Sequence, residues 1–473
     1  MKRSEAKKIF QQGEEVTISK LLELSRELKK LQKGKVWRAR NSINSSKPPS
    51  TDSEKDRKTR PKKKKSNRKP GGQPGHPGAR RPLLPESEVQ NIVKIFPKEC
   101  ERCSKPLPQE IGGQTAGPPA RHQVFEIEPV KPFVTEYQRY DTHCECGHYN
   151  KGRLPPEVQA STFGPRLTAI VAYMTSVMRG SRRGVQEFLH TILGVDMSLG
   201  SVQACLQRTS DSLAQVDREM KAKLPEQPVL HADETGWNDS WLWIFVSTSF
   251  IYFRIAASRG SDVLQAVLGP KFHGVLCVDR WSAYQKYHKG MFQYCWAHIK
   301  RDIRKLQEVG DKTEDTEAIV LSETMDSLRK AIMSRWYEFK GGVITRQQLI
   351  GRTKDDRNNM QALLAQNSVS ESEDTRRLSY GLYEKFDGLF TFILHDGVEP
   401  TNNIAEQGIR PAVQWRKVCF GSRSKKGAVM TARLLTATRT CWLQKRNPLE
   451  YLVQAIGAHR NKKRAQSLVD QAA

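Results

Sequence analysis

The sequence has no long apolar run, and this absence argues against an integral membrane protein. Its longest apolar stretch, Trp241–Val246, has six residues, whereas a membrane-spanning helix needs about 20. The charged start of the chain, Met1–Arg3, is not followed by the apolar core of a signal peptide. We therefore expect a cytoplasmic protein rather than a secreted or integral membrane protein.

Cysteines that lie close together in the sequence are also few. Of the nine cysteines, four form two tight pairs and five are scattered through apolar or strand-like segments. This distribution is typical of a reducing compartment with one metal site, and it argues against a disulfide scaffold. We predict a structural zinc site in a module spanning residues 90–160, in which His143 or His148 is an alternative to one sulfur and four unliganded thiols are the other alternative. The predicted ligands are the four paired thiolates: Cys100, Cys103, Cys144 and Cys146.

Acidic residues are too few to balance the basic ones. The 473 residues, enough for two to four domains, contain 78 Lys and Arg against 51 Asp and Glu, a net charge of +27. Residues 1–90 alone hold 25 basic and 10 acidic residues. A protein with this much net positive charge attracts polyanions, so DNA, RNA or an anionic membrane surface is the expected partner.

Residues 1–43 are predicted to be helical. Leu21, Leu24, Leu28 and Leu31 follow a 3,4,3 spacing, which places them on one apolar stripe of a helix. The stripe fits a short coiled-coil dimerisation element, and it fits equally a helix packed on its own domain.

Residues 44–89 are predicted to be a basic, disordered linker. Ten of the fifteen residues from Lys55 to Lys69 are Lys or Arg, and the glycine- and proline-rich stretch Gly71–Gly78 follows. Such a composition cannot bury a core. We interpret the basic run as a clamp on the DNA backbone, with a solvated linker as the alternative. The predicted phosphate contacts within it are Lys62, Lys63, Lys64, Lys65, Arg68 and Lys69.

The remainder predicts a mixed α/β core followed by a long helical region. Residues 161–225 are predicted to form a helical bundle that binds DNA or leads into the next domain, with Ser198 as a helix N-cap. Five strands follow, and a helix over Ser261–Leu268 comes after the third, an order typical of a mixed sheet. The predicted strands are Val229–Asp233, Trp241–Val246, Phe250–Ile255, Gly274–Asp279 and Met291–Trp296. These strands lie within residues 226–300, and residues 301–395, 396–440 and 441–473 are predicted to be mostly helical.

Two of the predicted strands end on a carboxylate, Asp233 and Asp279. A carboxylate at the end of a buried strand lies at the rim of the sheet, where neighbouring strands can share a hard cation such as Mg²⁺. Phosphodiester chemistry benefits from two such ions, and a third carboxylate is then needed. Glu234 and Asp239 are rivals for the first position, but strand alternation turns Glu234 away from Asp233.

Glu406 is the best candidate for the third carboxylate. Asn402, Glu406 and Arg410 recur every four residues and therefore share one helix face. That face would present a metal ligand between an amide and a guanidinium, a suitable lining for a phosphate-binding groove.

Three segments surround these carboxylates: His231–Thr235, Val278–Tyr284 and Asn402–Pro411. Together with Arg416–Lys417, the stretches Asn44–Ser50 and Gly71–Gly78, the paired cysteines and the closing Asn447–Leu452, they resemble the transposases of bacterial insertion-sequence-66-type elements. The resemblance runs in the same order along nearly the whole chain. One departure is Gln407, where a basic residue is expected.

The resemblance implies an RNase H-like catalytic core with a DDE triad, which falls on Asp233, Asp279 and Glu406. It also implies that helices between His298 and about Phe392 interrupt this core, which then occupies residues 226–300 and 396–440 with a helical insertion over residues 301–395. Accessory proteins encoded by the element are expected to take part. The expected cofactors are two Mg²⁺ ions, for which Mn²⁺ can substitute, and the structural Zn²⁺.

The C-x-x-H motif of Cys295 and His298 ends the fifth predicted strand and is also found in several DDE transposase families. One cysteine and one histidine make at most half a zinc site. We interpret Cys295 as a core residue, with His298 near the cleft.

These features predict a DNA transposase that cuts at the ends of its element and joins the freed 3′-hydroxyl to target DNA. Its expected partners are both DNAs and at least one further copy of the chain, and its predicted contacts include Arg410, Arg416 and Lys417. Two alternatives are a zinc-containing DNA-binding regulator without catalysis and an RNase H-like nuclease that cuts without joining.

Overall fold

The computed structural model describes residues 10–38, 41, 52–54, 71, 81–113, 115, 117–155, 158 and 161–469. The chain divides into two units, one of residues 59–131 and a larger one of residues 1–58 and 132–473, so that the boundary falls inside the stretch predicted as a zinc module. No helix within the described ranges is long and apolar enough to cross a bilayer. The six basic residues predicted to clamp DNA between residues 62 and 69 lie outside the described residues.

Helices dominate the described part of the chain, in the order expected from the sequence. Their bounds are α1 (Glu14–Arg38), α2 (Pro165–Ser176), α3 (Arg182–Leu193), α4 (Leu199–Ser212), α5 (Ala214–Lys223), α6 (Ser261–Leu268), α7 (Ser282–Tyr287), α8 (Trp296–Thr313), α9 (Thr316–Lys340), α10 (Arg346–Arg352), α11 (Lys354–Asn367), α12 (Glu373–Tyr383), α13 (Thr391–Leu394), α14 (Asn403–Cys419), α15 (Lys425–Leu443) and α16 (Pro448–Arg460). The strands are β1 (Thr142–His143), β2 (Tyr149–Asn150), β3 (Val229–Trp237), β4 (Ser240–Val246), β5 (Ile251–Ala256), β6 (Val275–Val278) and β7 (Phe292–Tyr294).

The predicted N-terminal helix and the predicted bundle are both confirmed as helices. Leu21 and Leu28 on α1 are exposed, and Leu24 is half-buried, so the apolar stripe is only partly covered and the coiled coil stays a prediction. In the bundle, Ser198 caps α4 as expected, because its hydroxyl accepts a hydrogen bond from the backbone N–H of Ser201 at 3.1 Å. Helices α8 to α13 occupy the predicted insertion.

A five-stranded mixed sheet forms the core of the larger unit, in the order β5-β4-β3-β6-β7. Strands β3, β4 and β5 are antiparallel neighbours, whereas β6 and β7 run parallel to β3. The predicted strands are confirmed to within two residues, with one correction. Strand β3 does not end at Asp233 but continues to Trp237, because residues 233–237 remain paired with β4, so Asp233 lies in mid-strand.

Helix α15 covers the edge strand β5. The backbone N–H groups of Ile251 and Phe253 donate to the hydroxyls of Thr440 and Thr436, at 3.0 and 2.9 Å. These two threonines are four residues apart and therefore lie on one face of α15. They satisfy donors that the end of the sheet leaves unpaired, and so protect the edge from pairing with another chain.

Helix α14 lies along β3 and is attached at two places, near the middle of the strand and just after its end. Near its start, the side chain of Asn402 donates to the carbonyl of Ala232 at 2.7 Å. Just after its end, the carbonyl of Phe420 accepts from the side chain of Asn238 at 2.6 Å. Between them Gly408 permits close approach, since a Cβ atom there would lie 2.7 Å from a side chain of β4. The functional residues of α14 are thereby set against β3.

Candidate active site

The pairing of β3 with β6 brings Asp233 and Asp279 side by side. The parallel register joins Val229 to Val275 and His231 to Cys277. Continued for two residues, the same register sets Asp233 beside Asp279, the first residue after β6. Because the β6 pairing has ended there, both carboxylates face the cleft at the end of the parallel part of the sheet, and both are half-buried.

Glu406 reaches this cleft from the first turn of α14. The start of the helix is fixed by Asn402, which is 1% exposed. Its side chain contacts His231 Nδ1 at 3.0 Å, and its backbone N–H donates to the sulfur of Cys295 at 3.1 Å. The prediction that Asn402 lines a phosphate groove beside Glu406 was therefore wrong, because the amide is used inside the protein to attach α14 to β3.

The carboxylates of the cleft repel one another. Burial raises the pKa of Asp233 well above its usual range. The negative charges of Glu234, Asp279 and Glu406 raise it further. A raised pKa from both burial and like charges is typical of a functional site.

Asp279 has a more mixed environment. Burial raises its pKa, and the backbone N–H of Trp281, which donates to it at 2.8 Å, opposes this effect. The guanidinium groups of Arg259 and Arg280 also favour the ionised form. Asp279 is thus the better stabilised of the two aspartates as a carboxylate.

The donor chemistry of the three carboxylates fits a hard divalent cation, because Mg²⁺ prefers carboxylate oxygens. The oxygen Oε1 of Glu406 lies 3.6 Å from His298 Nδ1 and 3.4 Å from a guanidinium nitrogen of Arg301, both on α8. Among the described residues, the group of three potential ligands whose donor atoms lie within 4.8 Å of one another is Cys295, His298 and Glu406. The structure thus holds the carboxylate of Glu406 on the α8 side of the cleft, where its charge still acts on Asp233. It does not bring donor oxygens of Asp233, Asp279 and Glu406 within 4.8 Å of one another.

The two rivals for the first aspartate have different surroundings. The side chain of Glu234 is 2% exposed and pairs with Arg259, at 2.7 Å between a carboxylate oxygen and a guanidinium nitrogen. Its other oxygen accepts a hydrogen bond from the hydroxyl of Tyr284. Asp239 lies exposed in the turn between β3 and β4. Glu234 is therefore held by Arg259 and Tyr284 beside the cleft, and Asp239 lies outside the cleft.

The interpretation of the C-x-x-H motif is confirmed. Cys295 is 1% exposed and packs in the core, while His298 lies beside Glu406. Burial lowers the pKa of His298 to about 3, and the positive charges of Arg301 and Arg280 act in the same direction. His298 is therefore a neutral imidazole at neutral pH.

The three basic residues predicted on α14 do not share one environment. Arg410 and Lys417 are exposed and are free to meet a polyanion. Arg416 is half-buried and lines a cavity beyond the far end of β3.

The two cysteine pairs lie in different units, Cys100 and Cys103 within residues 59–131 and the other pair in the larger unit. Cys144 and Cys146 lie in the turn of the β1–β2 hairpin, next to His143 and close to His148. Hydrogen bonds from backbone N–H groups of the following residues lower the pKa of Cys100 and of Cys144. Each pair thus has a turn that favours a thiolate, the form that binds metals.

Sequence reasoning missed two residues that shape the cleft. Arg259, in the loop before α6, pairs with Glu234 and lies over the rings of Trp241 and Trp281, 4.7 and 4.1 Å from their centres. Arg301 lies one turn after His298 on α8, and that spacing is a signal that could have found it. No local signal marks Arg259, because its partners are distant in sequence.

Comparisons with known proteins identify the family to which the chain belongs. Residues 160–430 match the family model described as transposase IS66 family, and residues 3–82 match a family of unknown function, DUF6444. The chain is 22% identical over 300 residues to an uncharacterized protein, y4qI, of Sinorhizobium fredii, covering 57% of this chain and 55% of that protein. The chain thus spans about half the length of this curated relative.

Proposed function

Because the chain belongs to the IS66 transposase family, we propose that it cuts DNA at the ends of its element and transfers the freed 3′-hydroxyl to target DNA. Two observations support the proposal: the register of β3 and β6 sets Asp233 beside Asp279, and the negative charges of Asp279 and Glu406 raise the pKa of Asp233. Such a cleft attracts divalent cations, and cations are what phosphodiester chemistry needs.

We also propose that the core is RNase H-like. Three antiparallel strands followed by two parallel strands on the other side of β3 support this assignment. In such a sheet, the first strand and the first parallel strand lie next to each other, which sets Asp233 beside Asp279. The catalytic helix α14 then follows the insertion, as the family resemblance implies.

Asp233, Asp279 and Glu406 would hold the two Mg²⁺ ions. When bound, these ions activate the attacking hydroxyl group and stabilise the leaving oxygen. The chain's own part is positioning, since the sheet fixes the two aspartates and Asn402 fixes the start of the helix that carries Glu406. No covalent link between protein and DNA is required, so fixed charges and geometry supply the catalysis.

The test is cleavage and joining of a labelled DNA that carries the terminal sequences flanking the chain's own coding region, with Mg²⁺ and the full chain. Asp279→Asn should abolish cleavage while DNA binding persists, because it removes a ligand and leaves the fold nearly unchanged. Asp239→Asn is the matched control, an exposed carboxylate close in sequence but outside the cleft. Wild-type cleavage by the Asp279 variant would refute the triad.

The products of the same experiment separate the alternatives. Joined products support a transposase, cut but unjoined products support a nuclease, and binding without cutting supports a DNA-binding regulator. The cleft favours the first two, because a regulator has no use for three mutually repelling carboxylates.

The structural zinc stays a prediction that rests on the two cysteine pairs. Purified protein should contain about one Zn²⁺ per chain, as four thiolate ligands imply. Changing Cys100 and Cys103 to serine should remove it. Metal analysis of protein prepared without chelators decides this, and zinc-free wild-type protein would end the hypothesis.

A further inference from the structure

A cavity of about 1010 Å³ lies beyond the far end of β3, between the helical bundle and the loop that joins α14 to α15. Trp237, the last residue of β3, and Arg416, near the end of α14, both line it. Trp237 is four residues beyond Asp233, about 13 Å along the strand at ~3.3 Å per residue. The cavity is therefore separate from the carboxylate cleft but is built on the same strand and helix.

The lining of this cavity is strongly basic. Five of the residues that line it are cationic, and none of those described there is acidic. None of the five has a carboxylate within ion-pair distance in the part of the chain that the structure describes. The cationic residues are Arg182, Arg208, Arg416, Arg423 and Lys426.

Buried donors in the cavity wall lack acceptors. Trp237 is 1% exposed, and its indole Nε1 has no hydrogen-bond partner among the described residues. The same holds for Nε of Arg208. Buried donors are normally satisfied, so these two add unused hydrogen-bonding capacity to the wall of a basic cavity.

Two helices also begin at this cavity. Gly200 in the first turn of α4 and Gly427 in the first turn of α15 line it. Ser198 and Ser424 cap these helices, because their hydroxyls accept from the backbone N–H groups of Ser201 and Gly427, each at 3.1 Å. The partial positive charge of each helix N-terminus still favours an anion such as phosphate. The two helix N-termini thus favour an anion in the cavity, as the five cationic side chains do.

The loop that closes the cavity is held in a defined conformation. Phe420 and Gly421 both have a positive φ, of 57° and 74°, and the carbonyl of Phe420 accepts a hydrogen bond from Asn238. A Cβ atom on Gly421 would lie 2.8 Å from the Asn238 amide, so the position requires glycine. The wall of the cavity is therefore built before any ligand binds.

We propose that this cavity binds phosphate groups of the DNA backbone next to the cleavage site. The inference rests on the proposed function, since it is DNA in the carboxylate cleft that would continue towards Trp237. A separation of about 13 Å corresponds to roughly four steps of 3.4 Å along one DNA strand. The volume exceeds the usual range of a small-molecule site, about 300–1,000 Å³, which leaves room for more than one phosphate group.

The test measures binding of the full chain to a labelled DNA 20-mer of mixed sequence, as a single strand and as a duplex, at four salt concentrations in EDTA. The first variant is Arg423→Gln with Lys426→Gln, two exposed positions at the mouth of the cavity. The second is Arg208→Gln, inside it. Arg218→Gln on α5, exposed and outside the cavity, is the matched control.

Each cavity variant should weaken DNA binding about tenfold, because charge-assisted hydrogen bonds are the strong ones. It should also make the slope of log affinity against log salt shallower by about 0.7–0.9 for each phosphate that the variant no longer binds. The control should change neither quantity. If the Arg208 variant is poorly folded, the exposed pair alone decides the outcome.

Competition with inorganic phosphate at constant ionic strength distinguishes the two sources of phosphate. Displacement of DNA from the wild type, but not from the cavity variants, supports the proposal. Phosphate binding that leaves DNA affinity equal in all variants would identify a free anion as the occupant and overturn it. Because EDTA prevents cleavage, this result is independent of the catalytic proposal. A chain that does not cleave DNA can still bind phosphate groups in the cavity, and a chain that cleaves DNA can still lack this binding.

Discussion

The two ends of the β3–α14 pair have opposite charge. At one end, Asp233 and Glu406 belong to a cleft whose carboxylates repel one another. At the other end, Trp237 and Arg416 belong to a cavity with five cationic residues in its lining. Four residues of strand and ten of helix separate the two regions, so a single rigid unit carries both.

The contrast assigns two functions to two regions: one attracts DNA and the other recruits metal ions. A basic surface attracts DNA but would compete with metal ions for the phosphates, whereas an acidic cleft recruits metal ions but repels DNA. Setting the two about 13 Å apart on one strand allows the basic cavity to hold the backbone and the acidic cleft to do the chemistry.

The strongest test of the comparison changes one region at a time. Glu406→Gln should lower the cleavage rate of bound DNA by roughly a hundred- to a thousandfold, the usual loss on removing one electrostatic stabiliser of a transition state, with affinity retained. Arg416→Gln should do the reverse, weakening affinity by up to about tenfold. Single-turnover cleavage rate and DNA affinity are measured on the same DNA for each variant. If the two variants change the rate and the affinity to the same extent, the two regions do not have separate roles.

The second test concerns the support of the acidic cleft. Arg259→Met leaves the charge of Glu234 buried without its ion-pair partner and should lower the free energy of unfolding by about 3 kcal/mol. The double variant that also carries Glu234→Gln should recover much of this stability, since the uncompensated charge is gone. Denaturant unfolding of the three variants gives the result, and an equally unstable double variant would point to weaker packing on Trp241 and Trp281 instead.

The third test concerns the attachment of α14, on which both regions depend. Asn402→Ala leaves the carbonyl of Ala232 without its donor in a buried site, at a cost of about 2 kcal/mol. The start of α14 should shift, and cleavage should fall more than DNA affinity. Asn403→Ala, exposed and one residue later, is the control. Thermal unfolding and cleavage assays that do not distinguish the two asparagines would contradict this role.

The last test concerns the basic run between residues 55 and 69, for which no effect on cleavage is expected. Deleting it should weaken binding to all DNA sequences by a similar factor and make the salt slope shallower by about 0.9 for each phosphate that the run neutralises. Cleavage of bound DNA should be unchanged. An unchanged slope would mean that the run is a solvated linker, and that the cavity provides the local phosphate contacts.

The sequence predicted the strands well where periodicity alone decides them. The apolar runs of β4, β5 and β6 were found to within a residue, because a buried strand must be apolar over its whole length. The end of β3 was missed, since residues 233–237 are mostly polar and only their pairing with β4 extends the strand. The role of Asn402 was misjudged for a similar reason: its helical spacing is right, but the helix begins after it.

From the sequence alone came the mixed α/β core, the helical insertion, and the choice of Asp233, Asp279 and Glu406 as candidate metal ligands. These follow from local patterns and motifs, which depend on neighbours along the chain. Only the tertiary structure decided that Arg259 pairs with Glu234 and that five cations from α3, α4 and the segment 416–426 line one cavity. Their charges interact through space across stretches of 25 to more than 200 residues, and spacing along a chain carries no record of such distances.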